Sequence, residues 1–297
     1  MSTGSAPSPQ QRPQGDHRPI GVFDSGVGGL SVLRELQRLL PHEHLLYLAD
    51  QAHVPYGTRP LAEVRQFSEA ISRFLLAQDA KLIVVACNTA SAAALTPLRQ
   101  TFPDVAFVGM EPAVKPAARQ TQSGRVGVLA TATTFASERY ADLMARYAGD
   151  VVVVEDPCRG WVDLIERGEI DTPEAMPLLT AVVQPMLTSG VDTLVLGCTH
   201  YPFLIPLLQR ISGPDVVIID PAPAVARQVE RVLRQQAGLN ESGENGRTRL
   251  FTTSAAAVFS RQVWQLLGMK EMGETAETAV WQRSGDNLVL QSGRVSL

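Results

Sequence analysis

The sequence predicts an α/β fold of two similar domains. Each is a central, mostly parallel sheet flanked by helices, and a pseudo-twofold axis relates them with the active site between. Three observations lead there. Short apolar runs alternate with longer amphipathic stretches, the pattern of βα units whose strands are buried on both faces. Eight of these runs fall into two sets of four that match in order. Two matched runs deliver the same residue at the same place, a cysteine.

The first set is PIGVFD, HLLYLAD, KLIVVACN and VAFVGME; the second is RVGVLAT, DVVVVED, DTLVLGCT and DVVIIDP. One spacing separates both Gly21 from Gly127 and Asp50 from Asp156. A slightly longer one separates Cys87 from Cys198 and Asp104 from Asp215. Each set closes on an apolar run, an acid and a proline, Glu111-Pro112 and Asp220-Pro221. A period of roughly 110 residues is too long for a solenoid unit and fits two domains. The expected division is 1–18 as a disordered tail, 19–112 plus 225–297 as the first domain, and 113–224 as the second.

Helices fill the intervals. LSVLRELQRLL has helical spacing and stops at Pro41. PLAEVRQFSEAISRFLLAQ opens with Pro60 in a first turn. TPEAMPLLTAVVQPMLTSG carries Pro177 and Pro185, which predicts a kinked or broken helix, with Gly190 suited to its C-terminal cap. AVARQVERVLRQQAG follows the second set and leads into the polar LNESGENGR. The tail TAVWQRSGDNLVLQSGRVSL alternates around Ser284-Gly285-Asp286-Asn287 and predicts a hairpin. This last segment does not extend the repeat, so it is expected to pack back onto the first domain.

Composition narrows the class. The 297 residues carry a net charge of -4 and no basic cluster, so no nucleic-acid partner is expected. The three cysteines form no C-x-x-C pair, which points to a reducing compartment. The N-terminal stretch is rich in Ser, Pro, Gln and Gly without an apolar core, unlike a signal peptide. No run reaches the length of a membrane span. The expectation is a soluble, cytoplasmic protein with no membrane partner.

The chemistry concentrates at Cys87 and Cys198. Each ends a buried-looking strand, is followed by polar residues (Asn88-Thr89 and Thr199-His200), and then by a helix-like segment. In open α/β sheets ligands sit beyond the carboxyl ends of strands, beside helix N-termini. The same field lowers a thiol's pKa from about 8.5 toward the physiological range, so a thiol there serves as a base. Facing each other across a pseudo-twofold axis, the two thiols would approach one ligand from opposite sides. That arrangement suits removal of a proton from a stereocentre on one face and its return on the other. A redox pair would instead need thiols close enough to bond. A two-domain binding protein would have no use for thiols on both sides. Cys158, in EDPCRGW, reads as an ordinary buried cysteine.

The loop DSGVGG, beginning at Asp24-Ser25, resembles a phosphate loop only in its glycines. It lacks the lysine of G-x-x-x-x-G-K-[ST] and the G-x-G-x-x-G spacing, and Asp24 would repel a phosphate. Beside a ligand cation and a thiol, Asp24 would pair with the first and position the second. Thr131 and Thr134 follow the strand equivalent to the one bearing Asp24; they bind polar groups of a ligand, or cap a helix.

Taken together, VFDSGVGGLSVLREL, YLADQAHVPYG, VVACNTASAAAL, GVLATATTFAS and LGCTHYPFL resemble the glutamate racemases of the aspartate/glutamate racemase superfamily. The likeness runs from Ile20 to about Leu267, leaving out the N-terminal tail and the C-terminal end. It implies a cofactor-independent isomerase that interconverts L- and D-glutamate, the latter for peptidoglycan, and homodimers are common in the family. It implies that Cys87 takes the proton from D-glutamate and Cys198 from L-glutamate, with Asp24 and His200 as their polar supports. Asp24, Ser25, Tyr56, Gly57, Asn88, Thr89, Thr199 and His200 match substrate-contacting positions. An acid of the middle domain is also implicated, and Glu166 in CRGWVDLIERGE matches it.

Absence of a cofactor agrees with the residues. A pyridoxal phosphate enzyme needs a Schiff-base lysine, and Lys81, Lys115 and Lys270 stand at a strand start, after Glu111-Pro112 and near the C-terminus. No metal is expected either: His42 and His44 sit in a loop away from the other motifs. His53, before VPYG, reads equally as cleft-lining or as surface.

Overall fold

The computed structural model of the chain describes residues 15–236, 238–268, 275–285 and 287–293. Most of the expected tail, and Lys270, lie outside them. Eleven strands are present among the described residues: β1 (Ile20–Asp24), β2 (Leu45–Ala49), β3 (Leu82–Val85), β4 (Ala106–Val108), β5 (Arg125–Ala130), β6 (Val152–Asp156), β7 (Thr193–Gly197), β8 (Val217–Ile219), β9 (Thr248–Thr252), β10 (Glu277–Ser284) and β11 (Asn287–Ser292). The helices are α1 (Leu30–Leu39), α2 (Leu61–Ala77), α3 (Asn88–Thr101), α4 (Val114–Gln120), α5 (Ala132–Phe135), α6 (Glu138–Tyr147), α7 (Trp161–Glu166), α8 (Ala175–Thr188), α9 (Ile205–Ser212), α10 (Ala222–Gln235) and α11 (Ala256–Leu267).

The strands form two sheets. A seven-stranded sheet has the order β11-β10-β9-β2-β1-β3-β4, and a four-stranded sheet the order β6-β5-β7-β8. The segment β2-β1-β3-β4 of the first thus repeats the whole of the second, and all these neighbours pair in parallel. The four matched runs of the sequence therefore occupy matched positions in space. Strands β1, β2, β3 and β7 are buried along their whole length, as central parallel strands covered on both faces must be.

Helices cover both faces of each sheet. One apolar core, from Leu30 and Leu33 of α1 through Val229 of α10 and Phe259 of α11, continues under the second sheet to Trp161, Leu179 and Val183. Separate cores lie on the opposite faces, under α2 and α3 of the first sheet and under α4 and α6 of the second. Helix α10 packs along α1, beside the first sheet.

Beyond the repeat, β9 pairs in parallel with β2, and β10 joins β9 through Glu277↔Phe251 and Thr278↔Thr252. The terminal hairpin closes antiparallel with Ser284 opposite Asn287, and it lies on the first sheet as its sequence predicts. Strand β9 and helix α11 have no counterpart in the sequence reading. TRLFT offers two buried apolar side chains, Leu250 and Phe251, too few for a pattern; its pairing with β2 makes it a strand.

Helix α8 is not broken at its prolines, for it runs as one helix. Pro177 falls in the first turn, where backbone N–H groups have no intrahelical partner, and Pro185 is accommodated within the helix. Its end is as predicted. Gly190, at φ 91, donates to Leu187 O (2.9 Å) and Val191 donates to Met186 O (3.1 Å), the paired bonds of a Schellman cap.

Two charged residues fasten the frame. Lys81 is buried in an ion pair with Glu43 at 2.6 Å, and its Nζ also donates to the carbonyls of Asp16 and Gly238. Asp192, just before β7, accepts from Thr121 Oγ1 (2.6 Å), Gln122 N (2.8 Å), Ser123 N (2.7 Å) and Thr193 Oγ1 (2.9 Å). Burial opposes its charge, but these donors outweigh it and hold the carboxyl down at about 2. The folded value lies below the ordinary 3.8, so this stabilisation is complete above the ordinary range and disappears as pH falls through about 2. Asp192→Asn is expected to lower stability by about 1–2 kcal/mol at neutral pH, a figure reduced for the group's solvent exposure. Urea denaturation of both proteins should show that difference shrinking at acid pH. An unchanged difference would count against this assignment.

Among the described residues, no helix is long and apolar enough to cross a membrane.

Candidate active site

Each sheet has a crevice at the carboxyl ends of its two central strands, where successive connections run in opposite directions and ligands of such sheets bind. In the first sheet, β1 ends at Asp24 and β3 leads to Cys87. In the second, β5 leads to Thr131 and β7 to Cys198. The crevices face each other. Ser31 Oγ donates to Thr199 O (2.9 Å), Thr133 Oγ1 donates to Gly57 O (2.7 Å), and the hydroxyls of Thr89 and Thr131 are 3.0 Å apart.

Between them is a cavity of about 10 Å³, lined by both Cys87 and Cys198. Ser25, Tyr56, Gly57, Asn88, Thr89, Thr131, Thr199 and His200 complete most of its wall. A void this size holds about one water molecule. It adjoins a larger cavity of about 610 Å³, and Pro55, Gly57, Thr131 and Val162 line both.

The two thiols have opposite surroundings. Cys198 Sγ lies 3.6 Å from His200 Nδ1, and His200 Nε2 lies 2.7 Å from Glu166 Oε1. Burial works against a charged imidazole here, but the bonds to Cys198 and Glu166 outweigh it and hold His200 well above its usual value. Burial likewise opposes charge on Glu166; His200, Val27 N–H (2.8 Å) and Gln51 (3.2 Å) reverse that effect and keep the carboxyl below its usual value. Gln262 of α11 donates to the Glu166 carbonyl from behind.

Cys87 instead faces an acid. It is the N-cap residue of α3, and the negative charge it faces is that of the buried Asp24 carboxylate. Burial pushes the thiol well above its usual range, and the negative charge of Asp24 adds to this; the N–H of Ala90 at the start of α3 pulls the other way. The sequence argument for a lowered thiol pKa therefore fails at Cys87. The helix N-terminus is present as expected, but burial and a neighbouring carboxylate exceed its effect. Asp24 itself is raised, chiefly by burial, although His200 and the N–H of Gly29 (2.9 Å) favour its charge. Cys198 differs from Cys87 in its backbone too: a short 3₁₀ turn, Tyr201–Leu204, separates it from α9.

Close approach explains the glycine loop. A methyl group on Gly26 would overlap the Glu166 carboxylate, and one on Gly28 would overlap the His200 ring. One on Gly29 would stand 2.7 Å from Asp24 Cβ. The loop is bare because the second domain's catalytic-looking pair lies against it.

Not every expected residue reaches the cavity. Thr134 stands behind Thr131, whose hydroxyl caps α5 and lies 2.9 Å from that of Thr134. His53 is neither cleft-lining nor simply surface, for it packs behind Tyr56 against Phe67 and Asp50. Cys158 is buried, with its thiol raised by burial, and faces the larger cavity. His42 bonds the Glu244 carbonyl at the opposite end of the sheet.

Residues 20–229 match the Asp/Glu/Hydantoin racemase family, and that span covers both crevices. The chain belongs to this family. It is an isomerase of the racemase class. The glutamate racemase of a Roseiflexus species is 56% identical over 219 residues, covering 74% of this racemase and 80% of that protein. The crystal structure of the glutamate racemase from Francisella tularensis in complex with D-glutamate has a TM-score of 0.76 at 30% identity, covering 89% of this chain and 97% of that one. The Escherichia coli glutamate racemase in complex with L-glutamate and the activator UDP-MurNAc-Ala has a TM-score of 0.75 at 34% identity, covering 84% and 94%.

Sequence reasoning about this racemase missed Pro55, Val162 and Gly197 in the cavity wall, and Gln51, Gln262 and Asp50 behind it. Gln51 and Pro55 do stand in the YLADQAHVPYG motif and Gly197 in LGCTHYPFL, and Asp50 is also the matched partner of Asp156 in the repeat.

Proposed function

We propose that this racemase interconverts L- and D-glutamate by proton transfer between Cys87 and Cys198, without a cofactor. The observation that carries the reading is that topologically equivalent thiols from the two sheets line one cavity, each with its own polar support. In the L-to-D direction, Cys198 Sγ takes the α-proton as the Cα–H bond breaks, leaving the electron pair on Cα. The Cys87 S–H bond then breaks, and its proton joins Cα on the opposite face. The enzyme is left with the thiol and thiolate exchanged, and the reverse reaction restores them. His200, kept protonated by Glu166, faces the Cys198 sulfur with a positive charge. Asp24 holds the Cys87 proton ready for donation.

The substrate's polar groups have suitable partners. Asn88 is buried in the cavity wall, and neither its Nδ2 nor its Oδ1 has a hydrogen-bond partner among the described residues. Buried amide groups require partners, and an amino acid's carboxylate and ammonium supply them. The N-terminus of α3 favours the carboxylate's negative charge as carbanion character grows at Cα. Because the cavity is smaller than an amino acid, glutamate enters as the crevices part, by way of the larger cavity that shares four wall residues. Relatives named as glutamate racemases, two of them in complex with D- or L-glutamate, support the choice of substrate. On the same likeness rest supply of D-glutamate to peptidoglycan, a cytoplasmic location and a homodimer.

The test is incubation of each enantiomer of glutamate and of aspartate with purified protein in D₂O, without added pyridoxal phosphate or metal. Glutamate should racemise with deuterium incorporated at Cα, and aspartate should not. Exchange with aspartate alone would transfer the reading to that substrate; exchange with neither would sink it.

A further inference from the structure

We propose that Asp50 and Trp281 are positioning residues, through which the C-terminal hairpin holds the Tyr56-Gly57 loop against the substrate. The inference rests on the proposed substrate cleft. Asp50 follows β2 and is fully buried. Its carboxylate accepts from Tyr56 Oη (2.6 Å), His53 Nδ1 (2.9 Å), Thr253 Oγ1 (2.8 Å) and Trp281 Nε1 (2.7 Å), while its backbone N–H donates to the Asp24 carbonyl (3.0 Å). A buried carboxylate is tolerated only with such a set of donors. They come from three separate segments: the loop after β2, the end of β9, and β10.

Packing reinforces the hydrogen bonds. The Trp281 ring meets His53 edge-on at 5.1 Å and Phe67 at 5.6 Å, and His53 stacks on Phe67 at 3.9 Å. Arg59 Nε closes the loop by donating to the His53 carbonyl (2.6 Å). Tyr56 thus spends its hydroxyl on Asp50, and Pro55, Tyr56 and Gly57 present the rest of the loop to the cavity. Thr253 and Trp281 lie beyond residue 229, where the family match ends. The hairpin pairs with β9 at Glu277 and Thr278, Arg249 of β9 also bonds the Glu277 carboxylate, and the Trp281–Asp50 bond carries this attachment on to the loop.

The test uses full-length Trp281→Phe, which keeps an aromatic ring and removes the N–H, together with Asp50→Asn, Tyr56→Phe and the Trp281→Phe/Tyr56→Phe double variant. Trp281→Phe is expected to raise KM for glutamate about tenfold with kcat changed less than about twofold, the signature of lost binding geometry. Because both side chains act through Asp50, the double variant should be little worse than either single one. Trp264→Phe, on the exposed side of α11, should match wild type. An unchanged KM, or multiplicative effects in the double variant, would overturn the inference. Thermal denaturation checks folding; should Trp281→Phe not fold, a normal KM in Asp50→Asn overturns it equally. If Cys87→Ser or Cys198→Ser keeps its turnover, the cleft reading itself has failed; if both lose it while Trp281→Phe is unmoved, only this inference has.

Discussion

Replacing either Cys87 or Cys198 by serine is expected to abolish racemisation in both directions, with kcat reduced by about 10³-fold or more. A hydroxyl does not ionise in the range where a thiol does, so it cannot act as the base. Nor can one direction survive alone. Enantiomers have equal free energies, so a variant that loses the base for L-glutamate equally loses the acid that forms it. Cys158→Ser is expected to retain activity, since this cysteine lies outside the small cavity. Initial rates from each enantiomer, followed by optical rotation, decide the matter. Normal turnover by either of the first two variants would refute a two-base reaction.

Gly28→Ala is expected to lower kcat by about 10²-fold while the protein still folds. The added methyl would overlap Nδ1 of His200, the atom that faces Cys198. The ring has no room to retreat, because it is buried and its Nε2 is held at 2.7 Å by Glu166. A displacement of about 1 Å at a catalytic group costs a factor of this order, and overpacking adds about 1–3 kcal/mol of destabilisation. Circular dichroism separates the two effects. Wild-type kcat in a correctly folded variant would show that His200 placement does not limit the reaction.

Much of this site is legible along the chain because it is built from strand ends. Asp24, Cys87, Thr131 and Cys198 each follow an apolar run that becomes a central strand, and a parallel sheet brings such ends to one edge. Glu166 is different. Nothing around it in GWVDLIERGE distinguishes it from Glu169 or Asp163, and only likeness to known racemases singles it out. Its partners are Val27, Gln51 and His200, contributed by three separate segments. Asp50 stood out along the chain as a repeat landmark, but two of its four donors, Thr253 and Trp281, are brought to it only by folding. Strand β9 escaped because pairing with β2, rather than its own pattern, makes it a strand.

The sequence by itself determined the two-sheet α/β plan, the pairing of the four strands and the identity of the two thiols. Those features follow from apolar periodicity and from a repeat, both written in local order along the chain. Tertiary structure decided the charges. Cys87 and Cys198 are equivalent by sequence, yet one meets a buried carboxylate and the other an imidazole held by Glu166. That difference comes from side chains distant in the chain and from burial, which together outweigh the helix N-terminus that the sequence could foresee.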